Sequence, residues 1–144
     1  MKIKRIRDVK LPTRGTPGSA GIDFYIPDYP FTQTVIAPGE SVVIPLGVKV
    51  EIPKGHVLIA FNKSGVALNK HLYVGACVID EDYQGEIHAH LTNVGKTEVS
   101  IYSGEKIVQF ILLPYIYTQI EEVDSIHEDP TERGEGAFGS TNHI

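Results

Sequence analysis

Short β-prone runs, interrupted every few residues by turn formers, limit what this chain can fold into. Residues 41–45, 48–52, 57–61, 72–79, 87–94, 98–102, 107–113 and 115–123 are rich in valine, isoleucine and other strand formers, and residues 2–6 alternate. Between them stand Pro38-Gly39, Pro53-Lys54-Gly55, Gly95-Lys96 and Ser103-Gly104. Proline presets φ and glycine supplies positive φ, so these are turns with a mechanism. Many short strands at this spacing predict an all-β sandwich, barrel or jelly roll. The one helical candidate is a turn or two over residues 64–70. There is no internal repeat.

The 144 residues suit a single domain with a real core. The pattern ends near Asp124, which predicts a β domain over residues 1–124. Residues 125–144 then form a flexible arm, acidic at first and glycine-rich afterwards, with too little apolar content to fold alone. Roughly 20 residues at about 3.3 Å each can reach some 60 Å, enough to cross onto a neighbouring subunit. A net charge of −5 argues against nucleic-acid backbone as a partner. A small anionic ligand would need local cations or a metal ion. Cys77 is the only cysteine, which excludes an intramolecular disulfide and a cysteine-based zinc framework and fits a cytoplasmic location. No apolar stretch follows Met1-Lys2-Ile3-Lys4-Arg5, so no secretory signal is expected. The longest apolar run, residues 107–117, is too short for a membrane span and is broken by Gln109 and Pro114.

Chemistry concentrates in Val78-Ile79-Asp80-Glu81-Asp82-Tyr83-Gln84-Gly85-Glu86-Ile87. Flanked by β-prone runs, it predicts a hairpin with its chemistry at the tip. Asp80, Glu81 and Asp82 repel one another, a cost that a plain turn would avoid. Asp80 follows an apolar run and is expected to be partly desolvated, as suits a base; a solvated acidic turn is the alternative.

Arg133-Gly134-Glu135-Gly136-Ala137-Phe138-Gly139-Ser140-Thr141 offers glycine N–H groups and a guanidinium to phosphates, hydroxyls from Ser140 and Thr141, and a flat ring at Phe138 for a base. The spacing is like a Walker A loop, but the lysine and the following helix are missing, so a P-loop is rejected. A disordered linker is the alternative. In Asn62-Lys63-Ser64-Gly65-Val66-Ala67, Ser64 is expected to cap the helical turn while giving its hydroxyl to a phosphate, with plain helix capping as the alternative. Asp23, among strand residues, is paired with a cation or works near a metal. Gln109, in the middle of an apolar strand, satisfies backbone or reads a ligand. His88 and His90 share one face of a strand, as metal ligands do, but the glutamate a cupin needs is absent. A polar strand face is therefore preferred to a metal site there.

Taken in order, Ala20-Gly21-Ile22-Asp23, Lys63-Ser64-Gly65-Val66-Ala67, residues 78–85, Gly104-Glu105-Lys106-Ile107-Val108-Gln109 and residues 133–141 resemble the motifs of the trimeric dUTPase family. The resemblance covers residues 19–141, and its third and fifth motifs are the most specific. It implies an all-β, distorted jelly-roll or β-barrel subunit, a homotrimer, active sites built between subunits, and hydrolysis of dUTP to dUMP and pyrophosphate. That reaction supplies dUMP for thymidylate synthesis and keeps uracil out of DNA. By position, Asp80 becomes the base for the attacking water, and Tyr83 packs on the deoxyribose. Lys63, Ser64, Gly65 and Gln109 lie at the phosphates, and the backbone of Cys77, Val78, Ile79, Ile87 and His88 reads the uracil. Arg133 holds the terminal phosphate, Phe138 covers the base, and Gly139, Ser140 and Thr141 complete the closing arm. Mg²⁺ is the implied cofactor, with Asp23 acting on it through water.

The chain departs from the family pattern at Lys63, usually arginine, at Cys77, often glycine, and at Ala137, usually a glycine. Lysine keeps the charge and loses the fork, and alanine would be uncomfortable at positive φ. Two rivals share the fold: a dCTP deaminase-like enzyme, whose catalytic glutamate and serine-arginine signature are not found, and a dUTPase-like protein that binds a regulatory partner.

Overall fold

The computed structural model describes residues 1–28 and 32–141. The elements run β1 (Lys2–Arg5), β2 (Ile22–Tyr25), β3 (Gln33–Ile36), β4 (Ser41–Pro45), β5 (Val48–Glu51), β6 (His56–Phe61), α1 (Ser64–Lys70), β7 (Leu72–Val74), β8 (Val78–Ile79), β9 (His88–Asn93), β10 (Val99–Tyr102) and β11 (Lys106–Pro114). The strands pair antiparallel in small sheets ordered β1-β5, β10-β3, β2-β11-β6-β8 and β4-β9-β7. The expected all-β, jelly-roll-like architecture is what forms. Among the described residues, no helix is long and apolar enough to cross a membrane.

Alternation builds the core. In β9, Ala89, Leu91 and Asn93 point inward while His88, His90 and Thr92 do not. In β5, Val48 and Val50 are buried and Lys49 and Glu51 are exposed. The centre holds Phe24 and Phe110, with ring centroids 4.5 Å apart and planes tilted by 50°, among Ile36, Ile44, Leu58, Leu72, Leu91 and Ile101. Such a tilted pair adds about 1 kcal/mol beyond its burial. Asn93, wholly buried, donates to the carbonyls of Ile36 and Thr97, each at 2.9 Å, and accepts the Gly95 N–H at 2.9 Å. No polar group is therefore stranded there.

Three expectations are corrected. Residues 72–79 are not one strand: β7 pairs with β9, the chain breaks over residues 75–77, and β8 pairs with β6 in a different sheet. The hairpin expected around Asp80 is therefore a loop bridging two sheets. Residues 115–123 form no strand, and Ile116, Tyr117 and Ile120 lie exposed. Ser64 does not cap α1: Lys63 occupies the N-cap position without a side-chain cap.

Candidate active site

The break in the run 72–79 creates the main pocket. The β7–β9 ladder ends with the Gly75 N–H on the His90 carbonyl at 2.9 Å. At the next step the Ala76 N–H donates to the His90 imidazole Nδ1 at 3.0 Å instead of to a carbonyl. The ring thus wedges into the ladder, and Gly75 permits it, because a β-carbon there would overlap the imidazole. Past the wedge, the Cys77 carbonyl accepts the Ala60 N–H at 2.9 Å and β8 joins β6, while β9 continues beside β4. The parted strands leave a pocket of about 420 Å³, lined by Val43, Ala76, Cys77, Val78, Ile79, Asp80, Tyr83, Glu86, His88 and His90. Its size and apolar walls with a few polar groups suit a flat small molecule.

Ladder alternation shows which peptide groups face this opening. Antiparallel partners bond at every second residue, so neighbouring residues direct their N–H and C=O to opposite edges. Cys77 and Ile79 bond toward β6, which leaves those of Val78 toward the gap. Ile87 is fully buried, and both its N–H and C=O are taken up, by Val48 at 2.9 Å and Leu46 at 2.8 Å. Ile87 therefore fixes the wall, and His88 presents its peptide groups to the gap.

The loop carrying Asp80 is tied at both shoulders. The Glu81 carboxylate accepts a short hydrogen bond from the Tyr115 hydroxyl and the Gly55 N–H at 3.4 Å. The Tyr115 bond holds the Glu81 carboxyl below its ordinary range, and Tyr115 is pushed up to about 12 by the same bond. The Glu86 carboxylate takes both arms of Arg7, at 2.6 and 3.2 Å, with the Gly47 N–H at 3.1 Å. Arg7 lowers the Glu86 carboxyl, against the opposing effect of burial. Glu81 and Glu86 are tolerated beside Asp80 because each has hydrogen-bond donors of its own. Inside the loop, the Tyr83 N–H donates to the Asp80 carbonyl at 3.1 Å, and the Tyr83 hydroxyl to the Glu86 carbonyl at 2.8 Å. Asp80 stands on the ridge between the main pocket and a second cavity of about 680 Å³ lined with Lys54, Gly55, Glu81, Asp82, Tyr115 and Tyr117. Contrary to expectation, Asp80 is exposed in this chain: Val78, two residues before it, is itself exposed, and Ile79 is only half-buried, so the apolar run does not cover it.

A second cluster gathers Asp23, Lys63 and Gln109. Asp23 is 4% exposed, with Lys63 Nζ at 2.5 Å from one oxygen and Lys106 Nζ at 3.6 Å from the other. Gln109 sits opposite Asp23 in the β2–β11 ladder and donates to the Asn62 carbonyl at 2.7 Å, while the Asn62 side chain accepts the Val74 N–H at 2.8 Å. Gln109 thus holds the strand-to-helix corner that displays Lys63 and the exposed Ser64 and Gly65. None of these residues lines the main pocket.

The glycine-rich segment forms a third group. The Arg133 Nε–H donates to the Gly136 carbonyl at 2.9 Å, and Gly134, Gly136 and Ser140 each bond three residues back at 3.1 Å. Arg133, Ser140 and Thr141 line a cavity of about 710 Å³, and Phe138 is fully exposed. Positive φ falls on Gly134, Phe138 and Gly139 and not on Ala137, so the concern over Ala137 moves to Phe138 at φ 45°. Among the described residues, no cluster of three or more His, Cys, Asp or Glu could hold a metal ion. The sequence reading passed over Arg7, Glu86, Lys106 and Tyr115. Of these only Glu86 carried a visible signal, as a further carboxylate in the acidic loop, because its arginine lies 79 residues away.

A model of the dUTPase family matches residues 7–142. The mitochondrial deoxyuridine 5'-triphosphate nucleotidohydrolase of Homo sapiens is 40% identical over 130 residues, 90% of this chain and 49% of that one, so the chain spans about half the length of the human relative. The deoxyuridine 5'-triphosphate nucleotidohydrolase of monkeypox virus is 39% identical over 139 residues, 96% of this chain and 87% of its own. The solved dUTPase of Staphylococcus bacteriophage 80alpha with dUPNHPP matches with a TM-score of 0.84 at 25% identity, covering 96% of each chain.

Proposed function

The chain belongs to the dUTPase family, and from that premise we propose that it hydrolyses dUTP to dUMP and pyrophosphate, with Asp80 as the base. The observation that carries this reading is the pocket opened by the parted strands, with Val78 and His88 peptide groups on facing walls and Asp80 at its rim. A uracil edge alternates acceptor, donor and acceptor, which peptide N–H and C=O groups can read. The phenol of Tyr83 then lies where the deoxyribose follows the base. Asp80 takes a proton from a water, the oxygen attacks the α-phosphorus, and the bond to the bridging oxygen breaks, releasing pyrophosphate. Lys63 and Arg133 offset the charge that departs with it.

The pocket, the Asp23–Lys63–Gln109 cluster and the arm share no lining residues within one chain. We place them together in a homotrimer, with one subunit supplying the pocket, a second the phosphate corner and a third its arm. Exposed Phe138, Ile116, Tyr117 and Ile120 support this, since a monomer rarely leaves so much apolar surface uncovered. Asp80 would become desolvated on assembly and closure of the arm.

Mg²⁺ fits as an ion carried by the substrate. Both Asp23 oxygens face ammonium groups, which leaves it suited to water-mediated contact and unsuited to direct ligation. When bound, the ion would offset phosphate charge. We place the protein in the cytoplasm. The test is a pyrophosphate and ammonia assay across dUTP, dTTP, dCTP and UTP, with and without Mg²⁺. Pyrophosphate from dUTP alone supports the reading, and ammonia from dCTP contradicts it.

A further inference from the structure

Glu86 joins the outside of the barrel to the inside of the pocket. Its carboxylate, 13% exposed, is clamped by the Arg7 fork at 2.6 and 3.2 Å and by the Gly47 N–H at 3.1 Å. Its carbonyl accepts the Tyr83 hydroxyl at 2.8 Å and the His88 Nδ1–H at 2.9 Å. A carbonyl can only accept, so the second bond puts the proton of His88 on Nδ1. Both side chains that hang on this one carbonyl line the pocket. Arg7 is itself held in place, because the preceding Ile6 N–H bonds the Gly47 carbonyl at 2.8 Å.

We propose that Arg7 is a positioning residue for sugar selection: by clamping Glu86 it fixes the carbonyl that holds the Tyr83 phenol, and so sets the clearance beside the sugar. The inference rests on the pocket being the nucleotide site. Ribose differs from deoxyribose by one hydroxyl, and an apolar wall rejects an added hydroxyl only weakly unless that wall cannot yield. Tyr83 is held at its backbone by Asp80 and at its hydroxyl by Glu86. Gly85 lets the phenol lie flat on the loop, because a β-carbon there would overlap its hydroxyl end. If the Glu86 carbonyl shifts, the ring is free to turn about χ1 and make room. Arg7 supplies two parallel bonds that a lysine cannot reproduce.

The test measures kcat and KM for dUTP and UTP in the wild type, Arg7→Gln, Arg7→Lys, Tyr83→Phe and Arg7→Gln/Tyr83→Phe, with thermal midpoints for each. Arg7→Gln should lower the dUTP-to-UTP ratio of kcat/KM by roughly tenfold, mostly through KM. Arg7→Lys should recover part of it. Tyr83→Phe should give a similar loss, and the double variant little more, because both changes cut one chain of contacts. An unchanged ratio in Arg7→Gln overturns the proposal, as does a parallel fall for both substrates that tracks lost stability, or full additivity with Tyr83→Phe. Should Arg7→Gln fail to fold, Glu86→Gln, which keeps shape and the Gly47 bond, is judged by the same ratio. A wild type that releases no pyrophosphate from dUTP sinks the nucleotide-site reading itself. An active wild type whose variants keep the ratio sinks only the role of Arg7.

Discussion

The loop around Asp80 and the segment around Phe138 are both polar and glycine-containing, yet they are held in opposite ways. The Asp80 loop is fastened to distant parts of the chain: to Tyr115 and Gly55 through Glu81, to Arg7 and Gly47 through Glu86, and to Leu46 and Val48 through Ile87. Hydrogen bonds of residues 131–140 close on residues three positions away. Long-range ties make a loop as stable as the fold that anchors it, whereas local bonds open at little cost. In our proposal the rigid loop selects the base and sugar and activates water. In the same proposal the arm becomes ordered only when the polyphosphate arrives, and it spends conformational entropy at that moment.

The comparison is tested most severely at Asp80. Asp80→Asn should lower kcat by about a thousandfold or more while dUTP still binds, as read by single-turnover kinetics and equilibrium binding. Near-normal turnover removes Asp80 from the base role. Deleting residues 132–144 should lower turnover by at least about a hundredfold. It should leave the thermal midpoint and the assembly size unchanged, whereas dissociation of the assembly would show that the arm is structural.

Smaller effects sharpen the rigid side. Gly75→Ala pushes a β-carbon into the His90 ring, so the wedge must move. An overpacking cost of about 1–3 kcal/mol is expected in chemical denaturation, with a raised KM for dUTP. The smallest effect is on pH dependence. Arg7 depresses the Glu86 carboxyl below its ordinary 4.5. Such a group contributes stability that is complete above the unfolded value and is lost as pH falls through the lower folded value. Thermal midpoints should therefore decline below about pH 4.5, and Glu86→Gln should make that decline shallower. Among its described residues the segment 132–144 carries no such tie, so its deletion should leave the acid limb in place.

Much of the strand layout was legible. Residues 41–45 form β4 and residues 64–70 form α1, because alternation and turn chemistry are local properties. Pairing is not local. The run 72–79 has one propensity throughout, yet Val74 and Val78 belong to different sheets, and only the His90 ring opposite Gly75 shows why. The run 115–123 carries strand formers but finds no partner strand among the described residues, so its composition misleads. Within the site, Asp80, Tyr83 and His88 were legible as an acidic turn beside a histidine-bearing strand, and the structure gathers them at one pocket. Arg7 was not, because nothing in residues 1–8 signals a partner 79 positions later. Exposure of Asp80 was misjudged for a related reason: an apolar run predicts that its own residues are buried, not that they shield the residue that follows.

The most direct measurement is a crystal structure with an unhydrolysable α,β-imido analogue of dUTP and Mg²⁺. The account predicts uracil between the peptide groups of Val78 and His88, the α-phosphorus beside the Asp80 carboxylate with a water in line, and Phe138 of another subunit over the base. An analogue bound away from Asp80, or an arm that never reaches it, would contradict the account.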